Sequence, residues 1–282
     1  MQTAAPKERR CMQLSKQVYD TLRARISHEL KKHGGSLLPR ENRKSRGRPL
    51  LLPIIDIITL GVFKHQNGLA TKKDLYNLFV FNCSYKTLVV NINRFAIIIL
   101  ALIIRLAREN RTCAEKVKFT DATEIPVCLV KNVKYHKTMK EVSAWGMTKK
   151  GWFYGLKLHL TIDAKGKILS FSFTAGNVND RAQFMVLNKY LSGIFVADGG
   201  YLSEKMAREF YIEGVRILFA KPRSNMRKVA TKEQNDLYSS RAFIESVFRN
   251  LKLFDGFVSS LPRSVDGYMA NYFYALCARM LA

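Results

Sequence analysis

The stretch FYGLKLHLTIDAKGKILSFSFT, residues 153–174, decides the fold class of this chain. Apolar and polar side chains alternate over residues 153–162 and again over residues 168–174, which is the two-residue period of a β-strand. Between these runs, residues 163–167 (DAKGK) supply the Asp and the Gly that tight turns favour. Two alternating runs joined by such a turn predict an antiparallel β-hairpin.

Strands and helices alternate around this hairpin. A short strand is predicted before it, and a helix, a strand, a helix, a strand and a helix after it: residues 117–121, 180–191, 193–198, 203–213, 215–220 and 240–253. This order favours a mixed sheet flanked by helices, in which catalytic groups gather at strand ends. Asp121 and Asp198 each end a predicted strand, so their carboxylates meet if the two strands are neighbours.

The charge of the chain indicates an anionic partner. Its 282 residues include 47 Lys and Arg against 22 Asp and Glu, which gives a formal net charge of +25. Repulsion on that scale is tolerable when a polyanion neutralises it, and nucleic acid is the first candidate. Ribosomal, packaging and membrane-surface proteins are the alternatives, but none of them needs a large ordered core with acidic clusters. We therefore expect a nucleic-acid partner and no membrane partner.

Neither the cysteines nor the N-terminus indicates an exported protein. The five cysteines are scattered without a C-x-x-C pair, which is typical of packed or free thiols in a reducing compartment and indicates no zinc site. No apolar signal segment follows the basic N-terminus. The apolar run of residues 96–104 (AIIILALII) is shorter than the ~20 residues that span a bilayer. We expect a cytoplasmic protein in which this run is a core helix, with an interfacial membrane helix as the alternative.

The N-terminal part is predicted to be basic and helical. Apolar residues four apart, from Leu14 to Leu30, predict a helix over about residues 15–32. Arg46 and Arg48, in the sequence RGRP, resemble the core of an AT-hook, whose arginines enter the minor groove of A·T-rich DNA. A flexible basic linker is the alternative. The expected domains are a basic segment and linker, a helical DNA-binding region and a ribonuclease H-like domain: residues 1–49, 50–112 and 113–282.

Carboxylates at strand ends are the side chains that metal-dependent phosphodiester cleavage uses. Two divalent ions about 3.5–4 Å apart activate water, stabilise the leaving oxygen and relieve charge on the phosphate. Mg²⁺ is a hard ion that prefers oxygen ligands. In a chain this basic, Asp198 is costly to place at the end of a buried strand without a partner or a metal. Taken alone, however, Asp121 and Asp198 are also explained as turn residues or helix caps.

The predicted C-terminal helix carries four residues at a characteristic spacing. Tyr238, Arg241, Glu245 and Lys252 follow one another at steps of 3, 4 and 7 residues. These steps place the last three on one helix face, with a carboxylate between cations suited to DNA phosphates. A solvated helix with an i, i+4 ion pair explains only Arg241 and Glu245. The pattern resembles, residue for residue, the Tyr-Arg-Glu-Lys signature of a large group of bacterial insertion-sequence transposases.

Two further segments resemble the same family. Residues 198–201 (DGGY) match the Asp-x-Gly-Tyr that follows its second catalytic strand, and residues 174–180 (TAGNVND) are similar to its Thr-x-Gly-Asn-x-x-Asp segment. The resemblance extends from about Lys116 to the C-terminus, with the motifs in the family's order. It implies a ribonuclease H-like core, Mg²⁺ or Mn²⁺ as the cofactor, and a catalytic, metal-binding triad of Asp121, Asp198 and Glu245.

The resemblance also implies an activity and partners. A DNA transposase cleaves the ends of its insertion sequence and joins them to target DNA, so we expect double-stranded DNA as partner, a homodimer on DNA and association with the bacterial nucleoid. Phosphate contacts would fix its position. The residues expected to contact DNA are Tyr238, Arg241, Arg249, Lys252, Arg46 and Arg48. A second basic run, residues 221–228, is either a DNA track or a solvated loop.

Several residues leave alternatives open. Gly199 stands where many relatives carry a larger, often basic residue. Glu124 and Asp163 lie near the predicted site in sequence and could replace or assist a metal ligand. Trp145 and Trp152 could stack on an unpaired base, but Trp152 begins an alternating strand and is expected in the core. The alternatives to a transposase are an inactive DNA-binding protein derived from one and a nuclease that cleaves without joining.

Overall fold

The computed structural model describes residues 6–32, 49–201, 203–220, 231–258 and 262–282. They form two compact units, one from residues 1–105 with 251–282 and the other from residues 106–250. The predicted boundary at residue 112 lies near the start of the second unit, whereas residues 251–282 group with the N-terminal helices. Burial of apolar surface depends on contact in space and not on sequence order, so a C-terminal helix can join an N-terminal core.

The helices and strands cover most of the described chain. The helices are α1 Pro6–Lys32, α2 Ile54–Gln66, α3 Lys72–Leu78, α4 Tyr85–Thr112, α5 Asp180–Leu187, α6 Glu204–Phe210, α7 Lys232–Ser240, α8 Ala242–Leu253 and α9 Val265–Met280. The strands are β1 Val117–Pro126, β2 Ala144–Thr148, β3 Gly151–Asp163, β4 Ile168–Ala175, β5 Gly193–Ala197 and β6 Arg216–Ala220. Two short 3₁₀ helices, Val130–Tyr135 and Gly199–Tyr201, lie between these elements.

The first unit is helical, and its core follows the apolar spacing of its helices. Leu22, Ile26 and Leu30, spaced four apart on α1, are buried as the sequence pattern predicted, whereas Val18 of the same series is exposed. Asp56 joins α2 to α1, since its carboxylate accepts a hydrogen bond from the guanidinium of Arg23. Helix α9 packs against α2. These contacts bring both ends of the chain into one helical core.

Helix α4 contains the apolar run noted in the sequence. It is the one helix among the described residues that is long and apolar enough to cross a membrane, yet half of its most apolar stretch is buried in the protein. Ile99, Leu102 and Ile103 are fully buried. Core helices pass the same test of length and composition, so α4 is weak evidence for a membrane span. The prediction of a core helix is confirmed for this buried face, whereas Ile97 is exposed.

The second unit is built on a six-stranded sheet. Strand β3 pairs antiparallel with β1, β2 and β4. Strand β1 continues the sheet by parallel pairing with β5, and β5 pairs in parallel with β6. An antiparallel half joined in this order to a parallel half is the topology of ribonuclease H-like proteins. The predicted fold class, a ribonuclease H-like mixed sheet flanked by helices and preceded by a helical region, is confirmed.

Several features of the second unit differ from the predicted elements. Helix α7 was not predicted, and β1 extends to Pro126 instead of ending at residue 121. Strand β2 pairs with the start of β3 but was not predicted, because its five residues (AWGMT) contain a central glycine and no clean alternation. The helix predicted over residues 240–253 begins at Ala242, and Arg241 lies in a turn between α7 and α8. Arg241 keeps helical backbone angles, φ −58° and ψ −27°.

An aromatic cluster holds the end of strand β5 in place. The ring of Phe184 on α5 lies 6.1 Å from that of Phe195 on β5, 5.7 Å from that of Tyr201 and 4.9 Å from that of Phe210 on α6. All four side chains are buried. Edge-to-face ring pairs of this kind stabilise a core beyond the area they bury. Helices α5 and α6 are thereby fixed beside the strand that leads to Asp198.

Gly155→Ala is expected to lower the free energy of unfolding by about 1–3 kcal/mol, the usual cost of overpacking a well-packed interior. A methyl group on Gly155 would lie 2.1 Å from the carbonyl oxygen of Ile125, so β1 and β3 would have to move apart. The control is Gly200→Ala, where the added methyl meets nothing within 4 Å. Urea unfolding of both variants, followed by tryptophan emission, measures the difference. Equal midpoints would contradict this account of Gly155.

Candidate active site

Asp121 and Asp198 lie side by side because their strands are parallel neighbours. Phe119 of β1 pairs in register with Val196 of β5. Each aspartate stands two residues further along, on the same face as that pair, since side chains alternate along a strand. The charge of Asp198 raises the pKa of Asp121, which places the two carboxylates within electrostatic reach. Strand β5 ends at Ala197 while β1 continues to Pro126, so Asp198 lies at the C-terminal end of β5, an interior strand of the sheet.

The carboxyl group of Asp121 has an unusual environment. Burial raises its pKa to about 6, although the positive charge of Arg241 and a hydrogen bond from the Ala122 N–H act in the opposite direction. That N–H lies 2.8 Å from Oδ1. The side chain nevertheless remains 20% exposed, so solvent or a ligand can reach it. A carboxyl group whose pKa is raised by burial in this way is typical of functional sites.

Asp121→Asn is expected to remove a pH dependence of stability in the protein treated with a chelator. The folded-state pKa is raised above its usual value of 3.8, so Asp121 stabilises the fold below about pH 4 and loses this effect as the pH rises through about 6. With 1.36 kcal/mol per pKa unit, wild type should lose about 1–3 kcal/mol relative to the variant between pH 4 and pH 7.

Urea unfolding at several pH values measures this difference, with the exposed Asp236→Asn as the control. A difference between wild type and Asp121→Asn that stays constant with pH would contradict the raised pKa.

Arg241 connects Asp121 to Glu245. Its Nη1 lies 2.8 Å from Oδ2 of Asp121, and its Nη2 donates to Oε1 of Glu245 one helical turn further on. The Arg241 side chain is 15% exposed, whereas that of Glu245, in the first turn of α8, is 58% exposed. In this structure the guanidinium of Arg241 binds two carboxylates, and its expected contact with DNA stays a prediction. The turn before α8 directs the Arg241 side chain towards Asp121 on the sheet.

The donor set suits a divalent cation, although the carboxylates do not form a tight cluster. Among the described residues, no group of three or more His, Cys, Asp or Glu side chains could hold a metal ion. Glu245 and Asp121 are linked indirectly, because both carboxylates accept hydrogen bonds from the guanidinium of Arg241. Carboxylate oxygens are nevertheless the ligands that Mg²⁺ and Mn²⁺ prefer. The guanidinium between Asp121 and Glu245 shows that this place already accommodates a positive charge.

The two alternative ligands suggested by sequence lie elsewhere. Asp163 is fully buried in the β3–β4 turn, where Oδ1 accepts hydrogen bonds of 2.9 Å from the N–H groups of Lys165 and Lys167. Its role is to hold the hairpin turn. Glu124 stands three residues after Asp121 on β1, so it projects from the opposite face of the strand. Neither residue can replace Asp121 in this arrangement.

Three residues beside the carboxylates were not among the predicted site residues. The Nζ of Lys157 lies 2.9 Å from Oδ1 of Asp180, at the start of α5. Tyr201 is buried, and burial together with the charges of Asp121, Asp180 and Asp198 raises its pKa. The Nε of Arg181 donates to the carbonyl oxygen of Gly200 at 2.7 Å. Arg181, the residue after the 174–180 motif, thus contacts the 198–201 motif, and the charge of Asp180 acts on Tyr201, which the separate positions of these segments in the sequence did not reveal.

The residues expected to contact DNA differ in how exposed their side chains are. Tyr238 is buried, and its hydroxyl donates to the carbonyl oxygen of Ala220 at 3.3 Å. The expected contact of Tyr238 with DNA stays a prediction. Arg249 is exposed one turn after Glu245, and Lys252 is half-buried nearly two turns after it on α8. Arg46 and Arg48 of the suggested AT-hook, and the basic run of residues 221–228, lie outside the described residues.

Comparison with known proteins identifies the family. The sequence model of the transposase DDE domain matches residues 111–259, which is more than half of the 282-residue chain. No curated protein matches the chain. The matched segment includes Asp121, Asp198 and Glu245, and the fold beneath it is the ribonuclease H-like sheet described above. The chain belongs to the family of transposases that carry a DDE domain.

Proposed function

We propose that this transposase cleaves the ends of an insertion sequence and transfers the strands to target DNA, with Asp121, Asp198 and Glu245 as its catalytic carboxylates. The observation that carries the proposal is the placement of Asp121 and Asp198 at equivalent positions of neighbouring parallel strands, with Glu245 tied to Asp121 through Arg241. The family match agrees with this choice, since its segment contains all three residues. The Tyr-Arg-Glu-Lys spacing supports an insertion-sequence origin.

The three carboxylates would hold Mg²⁺ or Mn²⁺. A bound pair of such ions supplies an activated water and charge relief at both the attacking and leaving oxygens. Asp121 must be ionised to serve as a ligand, and a pKa of about 6 leaves it mostly ionised at neutral pH. With the carboxylates holding metal ions, Arg241 would no longer be needed to neutralise them, and its planar guanidinium would be suited to paired hydrogen bonds to a DNA phosphate.

The remaining cations would position the DNA. Arg249 and Lys252 follow Glu245 on α8, so they would grip phosphates next to the cleaved bond. Arg46, Arg48 and the helical region of residues 50–112 would bind the terminal repeats. A homodimer on DNA would hold both ends of the element together, in association with the nucleoid. The net charge of +25 agrees with a protein whose usual partner is a polyanion.

A cleavage and joining assay tests the proposal. Its substrate is DNA carrying the inverted repeats that border the gene, with Mg²⁺ or Mn²⁺ and, separately, with a chelator. We expect metal-dependent nicking at the element's ends and joined products with target DNA. Binding to the ends without any nicking would favour an inactive DNA-binding protein. Nicking without joined products would favour a nuclease that does not transfer strands.

A further inference from the structure

The segment between β1 and β3 carries a dense positive charge. Residues 127–152 include the 3₁₀ helix Val130–Tyr135 and strand β2. Against one acidic residue, Glu141, the segment has six lysines, all exposed: Lys131, Lys134, Lys137, Lys140, Lys149 and Lys150. None of these lysines forms a salt bridge with another described residue. The segment therefore presents uncompensated charge to solvent.

The same segment exposes large apolar side chains on one face of the β2–β3 hairpin. Trp145, Met147 and Trp152 are 42%, 67% and 61% exposed. Met147 pairs with Trp152 across the two strands, and Trp145 pairs with Tyr154, so these side chains share a face. The two indole rings lie 6.5 Å apart in an edge-to-face arrangement. We call Trp145, Met147, Trp152 and the turn residues Lys149 and Lys150 the hairpin surface.

The opposite face of this hairpin is the buried one. Phe153 is 5% exposed, and Gly146, its partner on β2, lies against the Phe153 ring. The expectation that Trp152 belongs to the core is therefore wrong. Adjacent residues of a strand project to opposite faces, so burial of Phe153 turns Trp152 to solvent. Tyr154 shares the face of Trp152 but is 8% exposed, so the exposure of this face is greatest at Met147 and Trp152, next to the turn.

The chemistry of the hairpin surface matches an unpaired nucleic-acid strand. Proteins that bind single strands combine aromatic rings, on which bases stack, with cations that contact the phosphates. Lys149 and Lys150 form the turn that joins the two strands bearing the rings. Nearby, Tyr135 is 70% exposed with the Nζ of Lys134 at 4.8 Å from its ring centre. A protein partner would need acidic groups facing the six lysines, whereas DNA supplies phosphates and bases together.

We propose that the hairpin surface binds single-stranded or locally unpaired DNA, with Trp145 and Trp152 stacking on bases and Lys149 and Lys150 contacting phosphates. The choice of DNA as the partner rests on the proposed function, in which strands are opened and transferred. Binding at this surface needs neither the three carboxylates nor a metal, so it is measured independently of catalysis.

Tryptophan fluorescence is a direct probe of this surface, because Trp145 and Trp152 are the only two tryptophans of the chain. The full-length protein is titrated in a chelator with an oligo(dT) of about 16 nucleotides, the upper end of common single-strand site sizes. We expect quenching of tryptophan emission by oligo(dT), and less quenching by a duplex of the same length at equal binding. Labelled-DNA anisotropy measures the affinity in parallel.

The variants separate stacking from charge. Trp152→Ala should weaken oligo(dT) binding roughly 5- to 100-fold, the loss expected for one stacked base, while Trp152→Phe should retain most of the affinity. Tyr190→Ala is the matched control, because Tyr190 is also exposed, at 79%, and lies beside a lysine. Replacing Lys149 and Lys150 together by Ala should flatten the log-log salt dependence by about 1.4, roughly 0.7 for each single-strand phosphate contact.

Three outcomes would overturn the proposal. The first is unchanged tryptophan emission while anisotropy reports bound oligo(dT). The second is equal affinity of wild type and Trp152→Ala. The third is a Trp152→Ala variant that loses self-association in sedimentation but keeps its affinity for oligo(dT), which would make the surface a protein interface. None of these results would contradict the proposed cleavage and joining activities. Conversely, loss of those activities alone would not contradict DNA binding at the hairpin surface.

Discussion

Glu245→Gln is expected to reduce Mg²⁺-dependent cleavage and strand transfer by about a thousandfold or more. The substitution removes a metal-binding charge but keeps the length of the side chain, and its amide oxygen can still accept a hydrogen bond from Arg241. A correctly held metal contributes several kcal/mol to the transition state, and each 1.36 kcal/mol corresponds to a factor of ten in rate. Folding and DNA binding should be retained, because Glu245 is exposed at the start of α8.

The chain offers a closely matched control for Glu245. Glu209 on α6 is also about half exposed, at 54%, and also faces a cation four residues earlier, Lys205. Glu209→Gln removes the same charge from an equivalent helical ion pair, so it should leave cleavage within about twofold, since exposed pairs contribute little. The measurement is single-turnover cleavage of end DNA with both variants at equal DNA occupancy. Cleavage by Glu245→Gln at the rate of Glu209→Gln would remove Glu245 from the proposed triad.

Phe184→Ala is expected to lower the free energy of unfolding of the second unit by about 3–5 kcal/mol, as large-to-small changes of buried phenylalanines do. Phe184 is 1% exposed and lies at the centre of the aromatic cluster. The cavity would remove ring contacts from Phe195 on β5 and from Tyr201 after it. Loosening of these residues should also disturb Asp198, which stands between them in the sequence.

Val186→Ala is the control for this core substitution. Val186 lies on the same helix, α5, but is 67% exposed, so its replacement should change stability by less than about 0.5 kcal/mol. Urea unfolding followed by tryptophan emission reports on the second unit, since both tryptophans belong to it. A loss below about 1 kcal/mol for Phe184→Ala would mean that the aromatic cluster does not support the site.

Local periodicity predicted most of the second unit. The β3–β4 hairpin, β5, β6 and the helices between them were predicted because alternation and helical spacing are properties of neighbouring residues. The sequence predicted that Asp121 and Asp198 lie close together only if their two strands are neighbours in the sheet. Pairing of β1 with β5 met that condition. Strand β2 was missed because its short sequence has no period of its own and is held by pairing with β3.

The sequence by itself determined the alternating elements, the excess of positive charge and the spacing of Tyr238, Arg241, Glu245 and Lys252, since all of these are fixed along the chain. The tertiary structure alone decided where those side chains go. It buried Tyr238, and it turned the guanidinium of Arg241 towards Asp121 and Glu245. It also exposed Trp152 by burying Phe153. Each of these placements depends on which distant residue supplies a carbonyl, a carboxylate or an apolar surface as the partner. Folding selects those partners because it maximises the burial of apolar surface and compensates buried charges.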